Sequence, residues 1–214
     1  MQLAHEMILR AKEAAADIWK TQLYDPEKLF PNKKIIARGK NWFNEVLKTR
    51  LSKEQVFQLA EWCKESEIEF FASAFDLERL DWLKEIGVKR YKIPNRFKSS
   101  AILNAMRETG KQIIISTYPG DPFVEWKFWC GTCLAAGNYK FLYCVSNYPT
   151  ELKDLHFSDI RFKEGCFDGF SDHSVGTEAS MVAMARGARI IEKHFTLDKN
   201  LPGPDQICSI TPKE

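Results

Sequence analysis

The chain has 214 residues, of which 44% are hydrophobic, enough to build a sizeable core without disulfide bonds. Lysine and arginine number 31 and aspartate and glutamate 29, so the net charge is only +2. This balance excludes the strongly basic surface that binds nucleic acid or anionic membranes, and no run of 18 apolar residues is present that could span a membrane. We expect small-molecule partners, no nucleic acid and no membrane.

Six cysteines are scattered through the chain, and no secretory segment precedes them. This usage favours a reducing, cytoplasmic location. Cys130 and Cys133 have the spacing of a redox or zinc pair. No second pair accompanies them, so a structural role is the favoured interpretation.

The chain begins with an amphipathic helix over residues 2–15, and strand-like and helical patterns then alternate. An irregular stretch over residues 24–50 has the length of an active-site loop or lid. The repeated strand-then-helix order, with short and apolar strands, is typical of parallel strands buried on both faces. The predicted strands are 17–23, 69–74, 91–93, 112–117, 140–145, 168–171 and 188–194; the predicted helices are 52–66, 77–86, 100–109 and 175–186, with a tryptophan-rich segment over 122–136.

Polar side chains fall at the carboxyl ends of nearly all these strands. In a closed parallel barrel these ends meet on one rim, where the active site of that architecture lies. In an open sheet they would spread along an edge, but no glycine-rich phosphate loop follows a strand, which weakens that alternative. The residues are Lys20, Gln22, Ser73, Lys92, Ser116, Thr117, Ser146, Ser171, His173 and His194.

Residues two apart on a strand point to the same side, so Ser171 shares a face with His173, and Glu192 with His194. Two imidazoles then meet above the core with a carboxylate one layer below. Two histidines with open positions suit a divalent cation such as manganese or zinc. On spacing alone, hydrogen-bonded structural histidines remain the favoured alternative.

Lys20 and Lys92 stand in otherwise apolar strands, where an ammonium group needs an anionic partner. Ion pairs with Glu192 or Asp172 would satisfy them. A bound ligand with a phosphate and a carboxylate would satisfy them equally.

The segment over residues 169–205, GFSDHSVGTEASMVAMARGARIIEKHFTLDKNLPGPD, closely resembles the signature of the sialic acid synthase family, which includes legionaminic and pseudaminic acid synthases. Weaker matches occur in the same order at WKTQ (19–22), YKIP (91–94), IIIST (113–117) and SNYPT (146–150). The resemblance implies a (β/α)8 TIM barrel that condenses phosphoenolpyruvate with N-acetylmannosamine or a related amino sugar. Phosphate is the other product.

The resemblance also implies roles for individual residues. His173 and His194 match metal ligands, most simply for Mn2+, with Mg2+ or Co2+ as alternatives, and Asp172 and Glu192 lie beside them in sequence. With Lys20 and Lys92, these histidines are the expected catalytic residues. The expected substrate-binding residues are Lys20, Gln22, Ser73, Lys92, Asn95, Ser116, Ser146, Tyr148, Ser171 and Asp205.

The chain departs from the family pattern in three ways. It begins at the first barrel helix, so the strand that carries a family glutamate is expected to be absent. Asn95 stands where the family has serine. The chain stops at Glu214, before the last barrel helix and the antifreeze-like domain.

We therefore expect one incomplete barrel domain whose edge strands, 17–23 and 188–194, border a gap. A homodimer or a complementary segment would complete the barrel. A catalytically inactive or split barrel fragment retained for binding or assembly, and a metal-dependent aldolase on the same barrel, are the alternative functions.

Overall fold

The computed structural model describes residues 1–37, 39–122, 138–162 and 167–214. The chain divides into two compact units, one of residues 1–88 and 200–204 and the other of residues 89–199 and 205–214. Nearly all of the tryptophan-rich segment, with Cys130 and Cys133, lies outside the described residues.

The first unit contains two parallel strands, β1 and β4, which pair in register from Ile18 opposite Glu69 to Leu23 opposite Ala74. The stretch over residues 24–50 is more structured than expected, since it holds two short helices and a small antiparallel hairpin. The elements are α1 Gln2–Glu13, β1 Ile18–Leu23, α2 Pro26–Leu29, β2 Ile36–Ala37, β3 Lys40–Asn41, α3 Phe43–Lys48, α4 Lys53–Glu65, β4 Glu69–Ala74 and α5 Leu77–Ile86.

Local capping fixes where the helices around β4 begin and end. At the start of α4, the Ser52 side chain accepts from the Gln55 amide while the Gln55 side chain accepts from the Ser52 amide, forming a capping box. Asp76 caps α5, and Gly87 ends it with a φ of +80°, which glycine adopts without strain. The chain therefore turns from β4 into α5 within two residues, which keeps the carboxyl end of the strand short and well defined.

The second unit is built on five parallel strands in the order β5, β6, β7, β8, β9. Three 3-10 turns lie in its connections, at Leu152–Leu155, Phe157–Asp159 and Gln206–Cys208. Its other elements are β5 Arg90–Ile93, α6 Ser100–Arg107, β6 Gln112–Thr117, β7 Tyr139–Cys144, β8 Gly169–Asp172, α7 Glu178–Ala185 and β9 Ile190–Lys193.

Alternation along β7 and β8 separates an aromatic face from a polar one. Tyr143 and Phe170 stack with ring centroids 5.9 Å apart, and Phe157 packs edge-on against Phe170 at 5.1 Å. Their neighbours Cys144 and Ser171 are opposite each other in the register and point to the other side of the sheet. The aromatic face thus anchors the two strands while the opposite face presents functional groups.

The strands β8 and β9 approach unusually closely at Gly169. A Cβ atom there would lie 2.0 Å from the carbonyl oxygen of Ile190, so only glycine fits. This contact sets the spacing of the two strands from which His173 and His194 follow.

Within the described ranges, the predicted strands are all present, with ends that shift by one or two residues. The predicted helix over 175–186 begins later, at Glu178, because Gly176 has a φ of +75° that no right-handed helix allows. In the same ranges, no helix is long and apolar enough to cross a membrane.

Candidate active site

Lys92 of β5 is a deeply buried charged side chain of the candidate site, at 1% relative exposure. Its ammonium donates to Ser116 Oγ of β6 at 2.7 Å and to the Ile93 carbonyl at 3.1 Å. Glu192 of β9 completes the environment, with an oxygen 3.5 Å from the ammonium. The sheet therefore holds a buried cation among two neutral acceptors and one carboxylate, so its charge is compensated where water is excluded.

Ser171 and Glu192 stand opposite each other on β8 and β9. The Ser171 hydroxyl donates to the Glu192 carboxylate at 3.4 Å. Because Glu192 also faces Lys92, one carboxylate links the first and last strands of this unit. Ser116, Lys92, Glu192 and Ser171 form a continuous polar cluster.

Asp172 points to the other side of the sheet from this cluster. It is fully buried and accepts from the Ser174 amide and hydroxyl at 2.8 and 2.7 Å and from the Ser180 hydroxyl of α7 at 2.6 Å. Its ion-pair partner is Lys193, at 3.0 Å. Of the two carboxylates that the sequence offered as partners for Lys92, Glu192 takes that place and Asp172 pairs with Lys193.

His173 and His194 follow β8 and β9 directly, and their ring centroids lie 5.4 Å apart. The Tyr148 ring lies against both, at 4.2 Å from His173 and 5.8 Å from His194. Three aromatic rings from three neighbouring strand ends therefore line one region of this unit.

The hydrogen bond of His173 selects its tautomer. Nδ1 lies 2.8 Å from the Val145 carbonyl oxygen, which can only accept, so Nδ1 carries the proton and a neutral ring keeps its lone pair on Nε2. Burial lowers the pKa of His173, although the Val145 carbonyl and the carboxylates of Glu192 and Asp172 oppose the shift. The neutral form suited to metal binding is favoured.

Two adjacent imidazoles, one with its free nitrogen fixed, fit a divalent ion held by two protein ligands and completed by water or substrate oxygens. Among residues 1–37, 39–122, 138–162 and 167–214, no group of three or more His, Cys, Asp or Glu side chains is arranged to hold a metal. The residues therefore fit an open two-histidine site and do not fit a closed structural one.

Tyr148 and Asp205 belong to the same unit. Burial is the main cause that raises the pKa of Tyr148, and the charges of Cys144 and Asp205 act in the same direction. The Arg96 guanidinium lies 5.2 Å from the centre of the Tyr148 ring and donates to the Ser146 carbonyl. Asn95 donates through Nδ2 to Ser146 Oγ at 2.7 Å.

Three predicted site residues belong to the first unit. Gln22 lies opposite Ser73 in the register of β1 and β4, and Lys20 lies opposite Phe71. Ser73 is fully buried, and its hydroxyl has no hydrogen-bond partner among the described residues. A buried hydroxyl without a hydrogen-bond partner costs free energy of folding. The position of Ser73 therefore favours a ligand at the end of β4 that would hydrogen-bond to it. Lys20 is half-buried and Gln22 is exposed.

Sequence reasoning missed Arg96, Lys98, Asp121 and Lys193. Lys193 could have been found from the strand register, which places it opposite Asp172. The other three lie in loops, where no periodic pattern marks them.

Parallel strands alternating with helices, and functional side chains gathered at the strand ends, define an α/β fold of the TIM-barrel class. A family model described as the NeuB family matches residues 7–214, and the chain belongs to this family.

Two similar proteins are named as synthases, in agreement with this family membership. An N,N'-diacetyllegionaminic acid synthase of Legionella pneumophila is 33% identical over 100% of this chain and 65% of its own length. An N-acetylneuraminate-9-phosphate synthase of Drosophila melanogaster is also 33% identical, over 100% of this chain and 61% of its own. This chain thus spans about two thirds of the length of these relatives.

A solved structure supports the fold directly. The crystal structure of an N-acetylneuraminic acid (sialic acid) synthetase from Leptospira borgpetersenii serovar Hardjo-bovis, in complex with citrate, superimposes with a TM-score of 0.81. It is 34% identical and is matched over 100% of this chain and 74% of its own. The α/β TIM-barrel class and the resemblance to sialic acid synthases are confirmed.

Proposed function

We propose that this chain condenses phosphoenolpyruvate with N-acetylmannosamine or a related amino sugar to give a sialic acid-type nonulosonic acid and phosphate. The observation that carries the proposal is the buried cluster of Lys92, Ser116, Glu192 and Ser171 beside the paired rings of His173 and His194. The chain's membership in a family with synthase relatives supports the reaction class.

In this reaction the methylene carbon of phosphoenolpyruvate forms a bond to the aldehyde carbon of the open-chain sugar, whose oxygen takes up a proton. Water then adds to the phosphate-bearing carbon, and the tetrahedral adduct breaks its carbon–oxygen bond to expel phosphate and leave the ketone. Every atom is supplied by the two substrates and one water molecule, so no oxidant or reductant is needed.

Lys92 would hold an anionic group of phosphoenolpyruvate, assisted by the Ser116 hydroxyl 2.7 Å from its ammonium. A buried ammonium binds an anion strongly, because water no longer screens the pair. Glu192, 3.5 Å from the same ammonium, balances its charge when the ligand is absent.

His173 and His194 would hold the divalent ion, proposed to be manganese. Bound there, such an ion supplies a Lewis acid that polarises the sugar aldehyde. The Tyr148 ring, 4.2 Å from the His173 ring and tilted by 40° to it, would restrict the orientation of that imidazole. Asp205, which belongs to the same unit as Tyr148, would accept a hydrogen bond from a sugar hydroxyl.

The test uses the whole chain with phosphoenolpyruvate, N-acetylmannosamine and Mn2+. Phosphate release should require the sugar, and mass spectrometry should find the condensed product. Direct Mn2+ binding is measured separately by electron paramagnetic resonance. His173→Ala should abolish Mn2+ binding. His5→Ala is the matched change, at a ring on α1 whose centroid lies 4.5 Å from that of Trp62, and should leave Mn2+ binding intact.

The proposed function is refuted if the wild-type chain does not bind phosphoenolpyruvate, and equally if it does not bind Mn2+. If the chain binds both phosphoenolpyruvate and Mn2+ but forms no product, the two binding sites are supported and the proposed activity of this chain is wrong.

A further inference from the structure

A chain of hydrogen bonds joins the loops that follow β5, β6 and β7. The Thr117 hydroxyl donates to the Asp121 carboxylate at 2.7 Å, and the same carboxylate forms an ion pair with Lys98. Lys98 also donates to Asn95 Oδ1 at 2.9 Å, and Asn95 Nδ2 donates to Ser146 Oγ at 2.7 Å. The five residues form one connected path from β6 to β7.

The path is well shielded from solvent at its charged end. Asp121 is 5% exposed, and the Lys98 side chain is 12% exposed. In such surroundings an ion pair holds its geometry better than on an open surface, because fewer water molecules compete for it. Lys98 is therefore a fixed donor beside the Asn95 amide.

The chemistry of these groups sets the direction of every bond. An ammonium can only donate, so the oxygen of the Asn95 amide must face Lys98 and the nitrogen must face Ser146. Ser146 Oγ then accepts from Asn95 and can donate its own proton, with Cys144 Sγ 3.7 Å away as a weak partner that a phosphate oxygen would displace. The amide nitrogen likewise keeps a second N–H.

We infer that Lys98 and Asp121 are positioning residues for phosphoenolpyruvate, an inference that rests on the proposed function. They orient the Asn95 amide so that its second N–H and the Ser146 hydroxyl both donate to the phosphate group. Lys98 acts through Asn95, and Asp121 acts through Lys98.

Loss of Lys98 would remove the constraint on the amide. The amide could then turn by half a rotation and present its oxygen to Ser146. The Ser146 hydroxyl would then donate to the Asn95 oxygen. Neither this hydroxyl nor the Asn95 N–H would remain directed at the phosphate. A purely structural role for Lys98 would not produce this coupling to Asn95.

The experiment is calorimetric titration of the whole chain with phosphoenolpyruvate. Lys98→Met should weaken binding about tenfold or more, the value of one charge-assisted hydrogen bond. Lys98→Arg, which retains a donor to both partners, should restore most of the affinity. Lys84→Met, the matched loss of a lysine paired with Asp81 on the exposed face of α5, should leave the affinity unchanged.

A second arm repeats Lys98→Met in an Asn95→Ala background, where it should have no further effect, because the amide through which it acts is gone. Asp121→Asn serves if Lys98→Met does not fold. It retains an acceptor for Thr117, removes the charge that holds Lys98, and should weaken binding in the same direction.

Three outcomes overturn the inference. If the folded Lys98 and Asp121 variants bind phosphoenolpyruvate within twofold of wild type, these residues have no positioning role. An equal loss in the Asn95→Ala background shows that Lys98 acts through its own charge. If wild type binds no phosphoenolpyruvate, the proposed function falls and the inference falls with it, whereas the first two results leave the proposed function standing.

Discussion

Replacing Lys92 by methionine should separate ligand binding from stability. The ammonium is 1% exposed and touches Ser116 Oγ at 2.7 Å and the Ile93 carbonyl at 3.1 Å, with Glu192 at 3.5 Å. Methionine has a similar length and no desolvation penalty, so it fills the same volume. Removing one partner of a fully buried pair costs about 3 to 5 kcal/mol when the other is left dry.

The Glu192 side chain is 22% exposed and also accepts from Ser171, so it stays partly solvated after the change. We therefore expect a smaller loss of unfolding free energy, about 1 to 2 kcal/mol. Binding of phosphoenolpyruvate should fall much further. Truncating one side of a buried charge contact costs about 2 to 5 kcal/mol, or about 30-fold to several thousand-fold in affinity.

The assays are urea unfolding and calorimetric titration with phosphoenolpyruvate on the same preparations. Lys140→Met is the matched control, because Lys140 lies on β7, two strands from β5 in the same unit, and pairs with Asp168 at 2.8 Å, away from the polar cluster. It should retain wild-type affinity. If Lys92→Met binds phosphoenolpyruvate as wild type does, the assignment of Lys92 to the anion site is wrong.

Two further substitutions and one labelling experiment test the packing of the chain. Gly169→Ala should destabilise the fold by about 3 kcal/mol or more in urea unfolding, because its Cβ would lie 2.0 Å from the Ile190 carbonyl oxygen. Asp172→Asn should cost about 3 to 5 kcal/mol in the same assay, since it leaves the buried Lys193 ammonium without a carboxylate. Cys63 should resist alkylation at pH 8 in the native protein, because burial raises its pKa to about 12.

Each of these expectations has a control. Gly110→Ala, at a φ of +68° with open space around it, should cost only the backbone strain of about 1 to 2 kcal/mol. Asp81→Asn breaks an exposed ion pair and should change stability by less than about 1 kcal/mol. Peptide mapping should find Cys63 labelled only after unfolding. Equal effects of test and control, or rapid native labelling of Cys63, would contradict the structural reasoning.

The strands were predictable from sequence because each is a short apolar run, and such runs report burial on both faces. The meeting of His173 with His194 followed from alternation along neighbouring strands, whereas the hydrogen bond between Ser171 and Glu192 is visible only in the structure. The resemblance of residues 169–205 then supplied the family.

Other features depend on geometry that no local pattern encodes. The segment over residues 24–50 was predicted to be irregular because α2, β2, β3 and α3 are each too short to show a period. The contact between Lys98 and Asp121 joins residues 23 positions apart in two loops, whose conformations depend on tertiary packing. The sequence analysis offers Asp172 as a partner for Lys20 or Lys92, and only the register shows that Lys193 lies directly opposite.

The bonds of Asp172 have a consequence for local motion. One carboxylate holds Ser180 on α7, Lys193 on β9 and Ser174 at the turn after β8. Helix α7 cannot detach without releasing a buried charge, so its opening and the fraying of the strand ends should form a single cooperative event. Amides on α7 and at the end of β8 should then exchange with solvent deuterium at a common rate, and the geometry of the two histidines would be lost all at once.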